Sequence, residues 1–184
     1  KEKGYHILLD FHYSDFWADP GKQMIPKAWR GLDLDGLCGA VYTFTRDTLL
    51  AAVAAGVAPE MIQVGNEITN GMLWPVGRLT EGSAGERGNY GSLTLLIAAG
   101  CRACREVLPN SRIVLHLERS NDAAVYREFF GKMADAGIDY DIIGASYYPY
   151  WHGTPDELLE NLNACKKFGK EIMLVELGYG FTTE

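Results

Sequence analysis

Apolar residues fall along this chain in two alternating rhythms. Tyr5–Asp10, Met61–Val64, Arg112–Leu117, Asp141–Tyr147 and Glu171–Val175 are short runs rich in β-branched residues and read as strands. Between them the apolar spacing lengthens to helical periodicity. Leu34, Leu37 and Val41, then Leu49, Leu50, Val53 and Ala54, predict helix that Gly56 and Pro59 stop. Leu93, Leu96, Ile97, Cys101, Cys104 and Leu108 make one stripe of a helix from about Tyr90 to Leu108. Tyr126, Phe129, Phe130 and Met133 mark another, closed by Gly137. Thr154-Pro155-Asp156-Glu157 carries an N-cap, a proline at the first helical position and the glutamate of a capping box; the helix it opens buries Leu158, Leu162 and Cys165.

The repeating unit is strand, loop, helix, which implies an α/β fold with a parallel sheet covered by helices. Loops after helices are short, whereas loops after strands are long and aromatic, as in Phe11–Gly31 and Gly65–Gly88. That asymmetry puts function at the C-terminal ends of the strands, a rule shared by doubly wound sheets and (β/α)₈ barrels. Five such units fill the 184 residues. A whole barrel typically needs about 250. On the barrel reading, residues 1–184 are a single catalytic domain incomplete at both ends, with two strands expected before Lys1 and one after Glu184.

Composition narrows the partners. Seventeen Lys and Arg against 24 Asp and Glu leave a formal charge of −7, without a basic run, which argues against nucleic acid. No apolar run approaches the roughly 20 residues of a membrane span, so no membrane-spanning segment is expected. The first residues lack a signal-type apolar stretch. Cys101 and Cys104 form a C-x-x-C, but inside a helical stripe and without a second pair. With Cys38 and Cys165 they are expected as reduced core residues.

The chemistry-bearing residues gather at or just past strand ends: Asp10, His12, Asp15 and Asp19; Asn66 and Glu67; His116 and Glu118; Tyr147, Tyr148 and Trp151; Glu176. A carboxylate directly after an apolar strand is costly to bury without a purpose. Glu67 and Glu176, at the mouths of nonadjacent strands, fit the acid and nucleophile of glycoside cleavage. Retention of configuration calls for carboxyls about 5–5.5 Å apart and inversion for a wider gap. Trp17, Trp29, Trp74 and Trp151 all fall in loops after strands, joined by Tyr13, Phe16, Tyr148, Tyr150, Tyr179 and Phe181. Aromatic faces in acidic loops suit stacking on a sugar's C–H face. His12, Asp15, Asp19, His116 and His152 lack the spacing of a catalytic metal site, so no metal is assigned.

At these residues a family resemblance emerges. Asp10-Phe11-His12-Tyr13-Ser14-Asp15-Phe16-Trp17-Ala18-Asp19-Pro20, Gln63 through Pro75 and Ile143 through Gly153 closely resemble, in order, glycoside hydrolase family 53, the arabinogalactan endo-β-1,4-galactanases. The resemblance implies a (β/α)₈ TIM barrel, of which the five strands here are three to seven. It implies a retaining, endo-acting hydrolase of β-1,4-galactan, the pectin side chain, with Glu67 as acid/base and Glu176 as nucleophile in a double displacement. Asn66 would bind the sugar 2-hydroxyl. Tyr147 or Tyr148 would support the anionic form of Glu176, and His116 would line the mouth. His12, Asp15, Trp17, Trp74 and Trp151 would contact substrate. No organic cofactor is implied, and a structural calcium stays an open alternative. A polymer substrate further implies a secreted or periplasmic location.

The sequence departs from the family's pattern in places. Leu177-Gly178-Tyr179-Gly180 replaces the usual Thr-Ala-Tyr-Pro after the nucleophile, Glu118 replaces an Asp, and the arginine of strand two is absent. These departures keep alive a non-catalytic carbohydrate-binding protein derived from the same family, or an inactive fragment.

Overall fold

The computed structural model describes residues 3–81 and 87–180. Five parallel strands form one sheet: β1 (Leu8–Phe11), β2 (Met61–Val64), β3 (Arg112–Leu117), β4 (Ile142–Tyr147) and β5 (Glu171–Leu177). Their spatial order is their chain order. A doubly wound sheet reverses direction at a switch point; this one does not, so it has the winding of a barrel wall. β2, β3 and their boundaries fall where the apolar runs place them. β1 starts later than expected, because Tyr5 and His6 are exposed and only Leu8–Phe11 pair with β2.

Helices α1 (Leu34–Ala54), α2 (Tyr90–Val107), α3 (Ala123–Asp135), α4 (Pro149–His152) and α5 (Pro155–Cys165) connect the strands. Side-chain caps start three of them. Asp33 accepts from Gly36 N at 2.9 Å, Asp122 from the amides of Ala124 and Val125, and Thr154 and Glu157 complete the expected capping box. The two apolar groups expected before Gly56 are one continuous helix, α1, and Leu50 and Val53 on it are exposed.

The alternation along each strand separates two environments. Phe11, Ile62, Val64, Ile113, Leu115, Leu117, Ile143 and Ala145 join the helix-side core with Leu37, Leu49, Leu93, Leu96, Phe129 and Phe130. Each such side chain, fully buried, contributes roughly 1.5–3 kcal/mol. Cys101, Cys104 and Cys165 are buried there as free thiols, as expected; Cys38 is also free but only half-buried. The intervening positions, among them Asp10, Gln63, His116 and Ser146, fall outside that core and line the opposite face. Two short antiparallel ladders, Gly71–Met72 with Gly77–Arg78 and Thr80–Glu81 with Arg87–Gly88, stiffen the loop after β2. Among the described residues no helix is long and apolar enough to cross a membrane.

Candidate active site

β2 ends in Gly65-Asn66-Glu67, a turn that the backbone makes by leaving ordinary L-residue space. Gly65 has φ +86°, and a Cβ there would lie 2.6 Å from Ile68 Cγ2. Glu67 follows at φ 47°, a left-handed conformation uncommon for a non-glycine residue. Gln23 holds this turn from above, its Nε2 donating to Asn66 O at 2.8 Å.

Glu176 reaches the same place by a different device. The pairing of β4 with β5 runs Ala145 with Leu174, then Ser146 with Glu176, so Val175 is an extra residue. This bulge shifts the alternation of β5 by one position and brings Glu176, instead of Val175, into line with Ser146. As a result an oxygen of Glu67, an oxygen of Glu176 and a ring nitrogen of His116 all lie within 4.8 Å of one another.

The two carboxyls have unlike surroundings. Burial raises Glu67 from 4.5 to about 7; nearby Glu176, Glu118 and Asp19 push the same way, and the Ser146 hydroxyl, donating to Oε1 at 2.7 Å, opposes them. Glu176 accepts a hydrogen bond from the Tyr148 hydroxyl on Oε2 at 2.8 Å. Burial first, and then that carboxylate, raise the Tyr148 phenol to about 12, so it remains a donor. Tyr147 instead donates to Gly153 O at 3.1 Å, which resolves the choice between the two tyrosines.

His116 does not line the mouth. It is fully buried behind Glu67, where burial lowers it to about 3 and keeps it neutral. Its Nε2 lies 2.7 Å from Ser146 Oγ; its Nδ1 lies 3.1 Å from Gln63 Nε2 and 3.0 Å from Asn66 Oδ1. Asn66 is buried too, and its amide donates to Ala18 O at 2.9 Å. A cation among Glu67, His116 and Glu176 would have to displace the hydrogen-bond partner of whichever ring nitrogen it took.

The loop residues divide. His12 stands beside the pair with its ring fixed on both sides: Nδ1 accepts from Ala18 N at 2.9 Å and Nε2 lies 3.0 Å from Asp10, whose hydrogen bond raises the imidazole. Trp17 and Trp151 are exposed at 83% and 71%, as free stacking faces must be. Trp17 packs edge-on to His12, and Trp151 against Tyr148 and Tyr150. Trp74 is half-buried, with its indole N–H on Asn70 O at 3.0 Å and Arg78 over its ring, so much of it is spent on the loop itself. Trp29 packs edge-on to Phe44 at the core's edge and lines a cavity together with His12 and Asp15. Asp15 accepts from Lys27 N at 2.7 Å and braces its own loop. Phe181 lies outside the described residues. The residue pattern missed Gln63 and Ser146. The available signal was a polar residue inside an apolar strand.

Comparison with known proteins identifies the family and the fold. The family model described as Glycosyl hydrolase family 53 matches residues 1–184. The chain belongs to glycosyl hydrolase family 53. It is 37% identical over 182 residues to an endo-beta-1,4-galactanase of Bacillus subtilis, a match covering 98% of this chain and 40% of that protein. It is 43% identical over 185 residues to a Niallia circulans protein described only by its position in the bgaB 5′ region, covering 100% and 50%. Among solved structures, the Ignisphaera aggregans GH53 catalytic domain superposes with a TM-score of 0.90 at 38% identity, covering 100% of this chain and 49% of that one. A fungal β-1,4-galactanase superposes at 0.86 with 30% identity, covering 99% and 57%. A family 10 endo-beta-1,4-xylanase at 16% identity, TM-score 0.65, covering 84% and 50%, shares the fold alone. The five strands and the helices between them are thus part of a (β/α)₈ barrel, and the chain spans about half the length of the curated relatives it matches.

Proposed function

We propose that this family 53 chain carries the catalytic pair of a retaining, endo-acting β-1,4-galactanase. The observation that carries the reading is the convergence of Glu67 and Glu176, with oxygens within 4.8 Å of one another, in environments that treat them differently. Carboxyls about 5–5.5 Å apart serve double displacement; an inverting enzyme needs about 6.5–9.5 Å to fit a water. Glu67, held at about 7, keeps a proton for the leaving oxygen at mildly acidic pH. Glu176, steadied by Tyr148, attacks the anomeric carbon and forms a glycosyl ester as the glycosidic bond breaks. Glu67, now ionised, takes a proton from water as that water cleaves the ester. Asn66 gives an amide N–H to the sugar 2-hydroxyl, and the exposed rings of Trp17 and Trp151 stack on neighbouring units. Galactan is a cell-wall polymer, so the enzyme works outside the cytoplasm. No cofactor takes part.

The test uses the full-length protein on β-1,4-galactan, following new reducing ends and the configuration of the first product by NMR. The expected result is a β-configured product and its loss in Glu67→Ala and Glu176→Ala. Binding without new reducing ends would favour a carbohydrate-binding role, and an α-configured first product would overturn the double displacement.

A further inference from the structure

Behind Glu67 lies a buried chain of polar groups that the double displacement does not itself require. Ser146 Oγ sits between two partners, 2.7 Å from Glu67 Oε1 and 2.7 Å from His116 Nε2. Ser146 and His116 are both fully buried. A serine has one proton, so its direction depends on the histidine tautomer. Three groups surround His116 Nδ1. Gln63 Nε2 at 3.1 Å and the Glu67 backbone N–H at 3.4 Å are donors, and Asn66 Oδ1 at 3.0 Å is an acceptor. The Gln63 amide has a second hydrogen for Asn66 Oδ1, 3.2 Å away. Two donors outweigh the one acceptor at Nδ1, and Ser146 spends its only proton on Glu67 Oε1; both favour the ring proton on Nε2. His116 must then donate to Ser146, and Ser146 must donate to Glu67.

Resting on the hydrolase reading, we infer that Ser146 and His116 are positioning residues: the donor chain from His116 Nε2 through Ser146 Oγ to Glu67 Oε1 reserves Oε2 of Glu67 for the catalytic proton. With Oε1 already accepting, the proton that Glu67 gives to the leaving oxygen, and later takes from water, resides on Oε2. No proton passes along the chain, so its direction is the same in both half-reactions. The ring stays neutral because it is buried and His12 lies nearby. Glu176 from β5, Glu118 and Asp19 are the other charged groups bearing on Glu67, and all three oppose its ionisation. Ser146 favours it, as does His12 when its imidazole is protonated.

The test compares kcat/KM, which reports the first step, on galactan and on a 2,4-dinitrophenyl galactobioside whose leaving group needs no acid. Ser146→Ala in the full-length protein should lose about 10- to 100-fold on galactan, as expected for a displaced catalytic proton. It should stay within about three-fold of wild type on the activated substrate. Its basic limb on galactan should move upward, because the ionised form has lost a donor. Ser146→Thr, which keeps the hydroxyl, should recover most of the loss, and His116→Phe should resemble Ser146→Ala. Equal losses on both substrates with an unmoved basic limb, no loss at all, or a Thr variant as impaired as Ala would each overturn the inference. Glu67→Ala serves as the control. If it too is silent, the hydrolase reading has failed; if it is impaired while Ser146→Ala is silent, only the donor chain has.

Discussion

Glu67→Gln should stabilise the folded chain, and only where the native carboxyl is ionised. The folded structure holds Glu67 at about 7 against an ordinary 4.5, chiefly through burial. Between those two values the folded protein keeps a proton that the unfolded chain has released. Stability therefore falls as pH rises through that window, and the whole cost is present above about 7. The interval from 4.5 to about 7 corresponds to about 3 kcal/mol at roughly 1.4 kcal/mol per pH unit. Glu67 is only half-buried, and solvent screening reduces this to roughly 1–2 kcal/mol. Glutamine keeps the shape and the acceptor for Ser146 but cannot ionise. Urea unfolding of both proteins should give equal stability near pH 4 and a gap of roughly 1–2 kcal/mol in favour of Gln near pH 8. A gap that is the same at both pH values, or a Gln variant less stable at pH 8, would refute the claim that burial of a charge is what sets this group apart.

Three further outcomes follow from single contacts. Tyr148→Phe removes the hydroxyl that donates to Glu176 Oε2, and should lower kcat about 100-fold with little change in KM in a galactan assay. Gly71→Ala places a Cβ at φ +86° directly against Gly77 O, so it should cost more than about 2 kcal/mol and register as a fall in melting temperature. Arg87 binds Glu128 at 2.8 Å, the carbonyl of Thr69 and the Tyr90 hydroxyl, tying the loop after β2 to α2 and α3; Arg87→Ala should destabilise by about 3 kcal/mol in urea unfolding.

The wall of the barrel was legible because its strands are short, β-branched and separated by helices with clear caps. β3 starts and stops where Arg112–Leu117 says it should. Its two faces can be told apart only with neighbours in place: Leu115 and Leu117 meet helices, while His116 between them meets Gln63, Asn66 and Ser146. β5 was read as ending at Val175, yet it runs to Leu177 through a bulge. A bulge is a relation between two strands, and no run of residues in one strand announces it. That relation is what aims Glu176. The aromatic loops illustrate the same boundary. Trp17 and Trp151 stand free, whereas Trp29 leans on Phe44 and Trp74 supports its own loop, although all four occupy similar polar stretches.

A carboxylate at a strand end is conspicuous because its burial is expensive, and so Glu67 and Glu176 could be named from the sequence. The polar groups packed behind Glu67 are not conspicuous. Ser146 and Gln63 are small or neutral polar residues in otherwise apolar strands, and Asp10 pairs with Gln63 in register on the same face. Together with His116 they form a polar layer one step below the carboxyls, where each neutral donor is cheap to bury once paired. That layer fixes which oxygen of Glu67 accepts a hydrogen bond, while burial raises the carboxyl against it and Tyr148 holds Glu176 from the loop side. A substitution in that layer should change which oxygen holds a proton before it changes the fold.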